Sequence, residues 1–202
     1  KIEDFEPDLV GISLNFAPAT PSAIELAKLV KENTKAMVVF GGQQATFIVS
    51  ELLGSGFAHV VVRGEGEITF AELLQRSKPE GIEGLSYLKN GKIIHNPSRS
   101  PIENLDSIKP PARHYVDRSK YCVFGRRTDV VESSRGCPFD CYFCSVKNFH
   151  GRRWRARSAE NVVKEIEDLL ERKTEAVSFV DDNFAVDMKR VGRICDLLIE
   201  KS

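Results

Sequence analysis

The sequence lacks a long hydrophobic run, a net charge and an even number of cysteines. None of its apolar stretches approaches the roughly 18 residues of a membrane span. The acidic start "KIEDFEPD" does not have the pattern of a secretory signal peptide. Five cysteines, three of them clustered, do not suit a disulfide framework, so we expect a protein of the reducing cytoplasm. At 202 residues, 42% of them apolar, the chain suffices for one large or two small globular domains.

Charge is unevenly distributed along the chain, although the formal net charge is zero. Residues 109–157 contain 12 Lys or Arg and 4 Asp or Glu, a local charge of +8. A basic segment of this kind suits an anionic cofactor, an anionic metal cluster or RNA. Aromatic residues interspersed in it keep RNA binding open as an interpretation: Tyr142, Phe143, Phe149 and Trp154.

The first hundred residues alternate short apolar strands with helical patterns. Continuous apolar runs predict buried strands at 8–14, 36–40 and 59–62. Helical patterns lie at 20–33, 44–53 and 67–76, the first with Thr20 as its expected N-cap. Short connections between such elements predict an α/β domain with a doubly wound parallel sheet, and Asn90-Gly91 adds a hairpin.

A second alternation begins after a proline-rich segment. Residues 96–117 contain four prolines and no periodicity, which predicts a linker. Strands at 129–134 and 176–180 and helices at 159–172 and 187–200 follow, and Ser158 is the expected cap of the first helix. Two strand–helix units cannot close a barrel, so we expect a truncated domain. The predicted division is 1–95 for a front domain ending in the hairpin, 96–125 for a linker and 126–202 for a back domain.

The stretch "SSRGCPFDCYFCS" places Cys137, Cys141 and Cys144 in one loop with no fourth cysteine nearby. Zinc is one interpretation, with His150 as fourth ligand, although structural zinc sites usually pair their cysteines. A ferredoxin-like carrier needs a fourth cysteine. Cys122 lies 15 residues upstream, and we expect Cys195 to be buried on a helix face. The third interpretation is a four-iron cluster in which one iron stays open for a small molecule.

The C-x3-C-x2-C spacing, with Phe143 directly before the last cysteine and a strand before the loop, resembles the radical S-adenosylmethionine superfamily. The resemblance implies that the three cysteines hold a 4Fe-4S cluster whose open iron binds S-adenosylmethionine. One electron then cleaves the sulfonium to methionine and a 5′-deoxyadenosyl radical. The resemblance also places Phe143 near the adenine. Asp181 or Asp182, in "SFVDDNF", is the expected acceptor of the methionine amine, and capping of a helix by Asp181, Asp182 and Asn183 is the alternative.

The front domain resembles the cobalamin-binding domain found ahead of some radical S-adenosylmethionine domains. The similarity rests on "GISLN", on Gly41-Gly42 after the second strand and on "RGEGE" after the third. It implies that Ser13, Gly41 and Gly42 contact the nucleotide tail of cobalamin; a plain tight turn is the other interpretation of the glycines. The family usually has leucine where Asn15 stands. Its Asp-x-His-x-x-Gly loop is absent, so the axial cobalt ligand stays open.

The two resemblances cover nearly the whole chain and imply a cobalamin-binding radical S-adenosylmethionine enzyme, of which we expect this chain to be a fragment lacking both ends. The back domain would then be the first part of a partial (β/α) barrel. The expected reaction is methyl transfer to an unactivated carbon of a small molecule, with a reductant such as flavodoxin or ferredoxin. The substrate and the oligomeric state stay open.

Three other functions are compatible with parts of the sequence. One is radical rearrangement or ring closure, as in relatives resembling the anaerobic magnesium-protoporphyrin ester cyclase. An RNA-modifying methylthiotransferase would use the basic segment, but those enzymes carry another cysteine set ahead of the barrel, and residues 1–120 contain no cysteine. We therefore expect no nucleic-acid partner. The third is a non-enzymatic carrier of cobalamin or of a cluster.

Overall fold

The structure, a computed structural model, describes residues 5–201 with the exception of the Ser119 side chain. The chain divides into two compact units, with the boundary between Pro101 and Ile102. This boundary falls within the segment 96–125, for which the sequence predicts a linker. The limits of the functional domains stay a prediction.

The first unit contains one five-stranded sheet in which the strands follow one another in sequence order. Its members are β1 (Leu9–Ser13), β2 (Met37–Gly41), β3 (Val60–Val62), β4 (Leu85–Lys89) and β5 (Lys92–His95). The first three strands are parallel, and the hairpin β4–β5 extends the sheet in antiparallel orientation. The β1–β2 register sets Ser13 opposite Gly41 at the carboxyl ends of both strands.

Both faces of this sheet are covered by helices, which confirms the doubly wound α/β architecture. The helices are α1 (Thr20–Asn33), α2 (Gln43–Phe47), α3 (Val49–Gly54) and α4 (Glu67–Arg76). Successive side chains of β2 point to opposite faces. Val38 and Phe40 belong to the core that includes residues of α1 and α3, whereas Val39 packs in the core that includes Leu73 of α4. Full burial of a side chain such as Phe40 stabilises the fold by about 1.5–3 kcal/mol.

Two predictions about helices in this unit are wrong. Thr20 is the first residue of α1 and not its cap, because a 3-10 turn at Ala17–Ala19 leads directly into the helix and Ala19 takes the cap position. The helix predicted over 44–53 is two short helices, since the backbone leaves the helical conformation at Ile48.

The second unit is built on a parallel strand pair, β7 (Arg126–Val131) and β10 (Ala176–Phe179). Strand β6 (Cys122–Val123) pairs antiparallel with β7, and β8 (Ser134–Arg135) pairs with β9 (Arg155–Ala156). The helices are α5 (Val146–His150), α6 (Ala159–Glu171) and α7 (Met188–Glu200). The core lies between the strand pair and α6 and α7, and it consists mainly of Val131, Val162, Val163, Ile166, Leu169, Ile194 and Leu197. The predicted cap of α6 is confirmed, since the Ser158 hydroxyl accepts from the Asn161 amide.

The segment that leads into β7 is held to the second unit by a buried network of charges. The Arg113 side chain, 8% exposed, donates to Asp129 at 3.3 Å and lies 2.6 Å from Glu165, which is 2% exposed. Arg157 contacts the other oxygen of Glu165, and Arg118 contacts Asp129. Across the described part of the chain, no helix combines the length and the apolar character that crossing a membrane requires.

Candidate functional site

Gly136, the residue before the cysteine loop, is fixed by close packing. Its backbone has φ +81°, and a Cβ there would lie 2.0 Å from the carbonyl oxygen of Arg153. Only glycine fits a position with this conformation and this approach of the backbone. The Gly136 amide donates to Asp182 Oδ2 at 2.9 Å. The entry into the loop is thereby tied to the segment that follows β10.

Ser133, just after β7, is held from two sides. On one side Asp181 Oδ1 accepts from the amides of Ser133 (2.6 Å) and Ser134 (2.7 Å), and Asp181 Oδ2 accepts from the Ser133 hydroxyl at 2.6 Å. On the other side the Ser133 carbonyl accepts from the Arg157 amide at 3.0 Å and from Arg190 Nη2 at 2.7 Å. Burial lowers the pKa of Arg190, while the nearby Asp181 carboxylate acts in the opposite direction. Ser133 is fully buried by these contacts.

The three cysteines of the loop are free thiols. Cys137 and Cys144 are half-buried and Cys141 is exposed. The Cys144 amide donates to the Cys141 carbonyl at 3.1 Å, and Asn183 Nδ2 lies 3.7 Å from Cys137 Sγ as a donor. Within residues 5–201, no three His, Cys, Asp or Glu side chains converge as ligands of a single metal ion. In an iron–sulfur cluster each thiolate binds a different iron, so the thiolates need not converge. Thiolates are the soft donors that bind zinc and iron–sulfur clusters alike.

His150, the fourth ligand in the zinc interpretation, lies next to Asp182 and Arg155. Its Nε2 is 3.6 Å from Asp182 Oδ2, and its Nδ1 is 3.3 Å from Arg155 Nη2.

Cys195 is exposed, so the prediction that it is buried is wrong. On α7 the buried positions are Ile194 and Leu197. A helix turns by about 100° per residue, so the position directly after Ile194 points away from the core. Cys122 of β6 is exposed as well.

The outer part of the cysteine loop presents aromatic rings and a bridged carboxylate. Phe143 is 77% exposed and packs edge-to-face on Tyr142, with 5.3 Å between ring centroids. Asp140 accepts from Lys147 at 2.6 Å and lies 3.0 Å from Arg152. The hydrogen bond from Lys147 and the charge of Arg152 hold the pKa of Asp140 below its ordinary value. An exposed ring at this position is available to stack on a planar heterocycle.

Asp181 and Asp182 differ in how their carboxylates are used. Both oxygens of Asp181 accept hydrogen bonds, whereas Asp182 Oδ1 accepts none from the residues that the structure describes. The Asp182 side chain is 29% exposed. Asp187, and not this pair, caps α7 by accepting from two of its amides. Asn183 holds the N-cap position of the 3-10 helix Phe184–Val186, without a side-chain hydrogen bond to it.

In the first unit, the predicted residues Ser13, Gly41 and Gly42 line one pocket. The pocket has a volume of about 340 Å³ and lies at the carboxyl ends of the parallel strands. Its other walls include Gly11, Ile12, Val62, Gly66 and Phe70. Glu67 also lines the pocket. Walls that are mainly apolar, with no side chains at the glycines and with polar groups only at Ser13 and Glu67, suit a flat ring system.

Asn15 stabilises the rim of this pocket through two hydrogen bonds, a role that the sequence did not predict. Its Nδ2 donates to Ser13 Oγ at 3.2 Å, and its Oδ1 accepts from the Gln43 amide at 3.2 Å. The backbone of Gly42 packs against Asn15 and has φ +102°. A Cβ at Gly42 would lie 2.5 Å from Asn15 Oδ1 and 2.7 Å from the Leu14 carbonyl oxygen. The residue that departs from the family pattern thus joins the ends of β1 and β2.

The two histidines of the first unit are bound elsewhere. His59 Nδ1 accepts from the Val38 amide at 2.9 Å, and His95 Nδ1 lies 2.8 Å from the hydroxyl of Ser86. Neither histidine lines the pocket.

Two protein families match the chain. The family described as B12 binding domain matches residues 1–74, and the radical SAM superfamily, named for S-adenosylmethionine, matches residues 131–201. The first match contains the glycine-lined pocket, and the second contains the three cysteines and both aspartates.

Curated relatives align with almost the entire chain. An uncharacterized methyltransferase of Pyrococcus horikoshii is 39% identical over 94% of this chain and 42% of its own length. The hopanoid C-3 methylase of Methylococcus capsulatus is 34% identical over 90% of this chain and 36% of its own length. The anaerobic magnesium-protoporphyrin IX monomethyl ester cyclase of Rubrivivax gelatinosus is 31% identical over all of this chain and 38% of its own length. The chain therefore spans about two fifths of these relatives.

Among solved structures, the radical S-adenosylmethionine methyltransferase TsrM of Kitasatospora setae has the same fold. The TM-score is 0.79 at 19% sequence identity, and the match covers 96% of this chain and 40% of the other. At this identity the likeness concerns the fold alone.

Proposed function

Because the chain belongs to the radical S-adenosylmethionine enzymes that carry a B12-binding domain, we propose that the whole protein is a cobalamin-dependent radical methyltransferase. Its reaction would transfer a methyl group to an unactivated carbon of a small molecule. The observation that carries the proposal is the loop of three free thiols beside Asp182 in the same chain as a glycine-lined pocket. Two of the three relatives described above are named as a methyltransferase and a methylase.

Membership of the two families implies three cofactors: a 4Fe-4S cluster, S-adenosylmethionine and cobalamin. When bound, these groups supply one-electron cleavage of a sulfonium and a carrier for the methyl group. Cys137, Cys141 and Cys144 would hold the cluster through their thiolates. Asn183 donates toward Cys137 Sγ, and hydrogen bonds to ligand sulfurs shift the reduction potential of such clusters.

The residues around the loop would bind S-adenosylmethionine by its two ends. The exposed ring of Phe143 would lie against the adenine, where stacking excludes water from one face. A carboxylate from the end of β10, Asp181 or Asp182, would accept the methionine amine through a charge-assisted hydrogen bond.

The pocket of the first unit would hold the nucleotide tail of cobalamin. Gly41 and Gly42 leave room for the ligand to approach the backbone, and the Ser13 hydroxyl supplies a polar contact in a pocket where Glu67 is the other polar side chain. Since Asn15 Nδ2 already donates to Ser13 Oγ, the Ser13 hydroxyl proton is available for an acceptor on the ligand.

Radical ring closure is the second candidate, and the 31% identity to the cyclase of Rubrivivax gelatinosus favours it. Both reactions start from the same cleavage, so the residues of the cysteine loop serve either one. Anaerobic turnover of the full-length protein separates them by product: a methylated product supports methyl transfer, and an oxidised, cyclised product without an added methyl group supports the cyclase.

The basic segment 109–157 is less suited to RNA binding than its charge alone indicates, because several of its cations form ion pairs with carboxylates. Lys147 and Arg152 bind Asp140, and Arg153 donates to Glu103 at 2.6 Å. Cations that are already paired with carboxylates contribute less to phosphate binding. A non-enzymatic carrier would take up cluster or cobalamin without cleaving S-adenosylmethionine, which the same turnover assay tests.

The proposal also needs an electron donor and a reducing compartment. We assign these roles to a flavodoxin or ferredoxin and to the cytoplasm. In support, the cysteines are odd in number and three of them lie in one loop, a pattern that does not suit a disulfide framework.

The cluster is tested by anaerobic reconstitution of the full-length protein with iron and sulfide. Alanine at Cys137, Cys141 or Cys144 should each abolish cluster assembly, because two remaining thiolates do not hold it. Alanine at the exposed Cys122 or Cys195 is the matched control and should leave the iron content unchanged. In the wild-type protein, S-adenosylmethionine should alter the electron paramagnetic resonance spectrum of the reduced cluster.

A colourless protein that contains one zinc, and that loses it on the change His150→Ala, would contradict the radical-enzyme assignment. An iron content that falls equally in the Cys195 control would show that the assay reports general damage and not ligation.

A further inference from the structure

The two neighbouring aspartates after β10 have different hydrogen-bond environments, and this separates their roles. We propose that Asp181 is a positioning residue that fixes the entry of the cysteine loop, and that Asp182 alone receives the methionine amine. The inference deepens the proposed function and rests on it for the role of Asp182. The role of Asp181 in cluster assembly is testable without substrate.

Asp181 has little capacity left for a ligand. An ionised carboxylate offers about four lone-pair sites, and three of those of Asp181 are taken by two amides and one hydroxyl at 2.6–2.7 Å. All three donors belong to Ser133 and Ser134, which are 0% and 1% exposed. An ammonium group that took this carboxylate would leave buried donors without partners, which is costly.

The contacts of Asp181 set the direction of the chain at the cysteine loop. Ser134 is three residues before Cys137, and Asp181 holds it across 47 residues of sequence. On the other side of Ser133, Arg190 of α7 donates to the Ser133 carbonyl. One residue before Cys137, the Gly136 amide is bound by Asp182. The first cluster ligand is therefore placed by the end of β10 and not by the loop itself.

Asp182 retains what an ammonium ligand needs. Its Oδ2 accepts one bond, from the Gly136 amide, and its Oδ1 is without a donor among the residues described. The side chain is partly exposed, beside the residue that precedes Cys137. A ligand bound at the cluster would thus find one carboxylate oxygen available next to the first thiolate.

Two isosteric changes in the full-length reconstituted protein separate the roles. In Asp181→Asn the amide oxygen still accepts from both backbone amides, and the Ser133 hydroxyl turns to accept from the new NH₂ group. Iron content, cluster spectrum and the dissociation constant for S-adenosylmethionine should therefore stay within about twofold of wild type, because the hydrogen bonds are kept. Asp182→Asn keeps the bond to Gly136 but loses the charge, so the dissociation constant should rise about tenfold or more with iron content unchanged.

The change Asp181→Ala removes the three acceptor contacts. It should reduce iron content to less than half of wild type or alter the spectrum of the reduced cluster before any S-adenosylmethionine is added. Ser158→Ala is the control, since it removes the cap of α6 in the same unit without touching Ser133 or the loop. The control should lower the midpoint of thermal unfolding but leave the cluster spectrum unchanged.

An Asp181→Asn protein that keeps its cluster but binds S-adenosylmethionine as poorly as Asp182→Asn would overturn the assignment. A normal cluster in Asp181→Ala would do the same. Wild-type protein that takes up iron without a spectral response to S-adenosylmethionine contradicts the proposed function, and the iron content of Asp181→Ala still decides the positioning role.

Discussion

Gly42 gives the most quantitative prediction for the first unit. The change Gly42→Ala puts a Cβ 2.5 Å from Asn15 Oδ1 and 2.7 Å from the Leu14 carbonyl oxygen, at a residue with φ +102° and ψ 174°. This conformation costs a non-glycine residue about 1–3 kcal/mol. Displacement of Asn15 also removes its bonds to Ser13 and Gln43, so the free energy of unfolding should fall by about 2–6 kcal/mol.

Native-state hydrogen exchange followed by mass spectrometry measures this loss in one unit of a two-unit chain, where a single unfolding curve is ambiguous. Amides of β2 and β3 should exchange faster, and those of β7 and β10 serve as an internal reference. Gly41→Ala is the matched control, because its Cβ would meet only Val62 Cβ, at an ordinary 3.7 Å. That variant should keep wild-type protection and retain less cobalamin, since Gly41 lines the pocket.

The reasoning is refuted if Gly42→Ala keeps the protection of β2 within about 0.5 kcal/mol, the ordinary spread of surface substitutions. Equal loss of protection in Gly41→Ala would refute it too, because the steric difference between the two glycines would then have no effect.

Two further predictions concern buried and titrating groups. Glu165→Ala removes the carboxylate that Arg157 contacts and leaves Arg113 with Asp129 alone. It should lower the free energy of unfolding of the second unit by about 3–5 kcal/mol, measured by urea denaturation with Trp154 fluorescence. Burial, and then the charge of Lys31, lowers the pKa of His59 below 6.5, so the unfolded chain binds the proton first. Stability of the first unit is therefore complete above pH 6.5 and falls as the pH drops toward the folded pKa; exchange of β2 amides should show this, and His59→Gln should flatten the dependence.

Long periodic segments and adjacent parallel strands could be predicted from the sequence. The helix over 20–33 and the helix over 67–76 agree with the structure to the residue. The proximity of Ser13 and Gly41 follows from parallel pairing of the two strands that they end, and the register confirms it. Their contact with a cobalamin tail stays a prediction, as do the ligand roles of Cys137, Cys141 and Cys144.

Other features depend on contacts that no local pattern encodes. Helix α5 and strand β9 contain five and two residues, too few for a periodicity to develop. The hydrogen bonds of Asp181 to Ser133 join residues 48 apart in sequence, and only the parallel pairing of β7 with β10 brings these residues together. In the sequence Asn15 only departs from a family pattern; its contact with the Gln43 amide forms because the backbone bends at Gly42.

The ion pairs of Arg113 limit where recombination can join a new front unit to the second unit. This arginine precedes β7, but its charge is neutralised inside the second unit, by Asp129 and Glu165. A recombination event that replaced the front unit and joined the new one at residue 126 would discard the arginine and leave both acids buried without it. A junction before Ile102 would carry the cation along with its partners. Chimeric proteins with different front units should therefore be viable when they are joined on the amino-terminal side of the proline-rich segment, and poorly folded when they are joined after it.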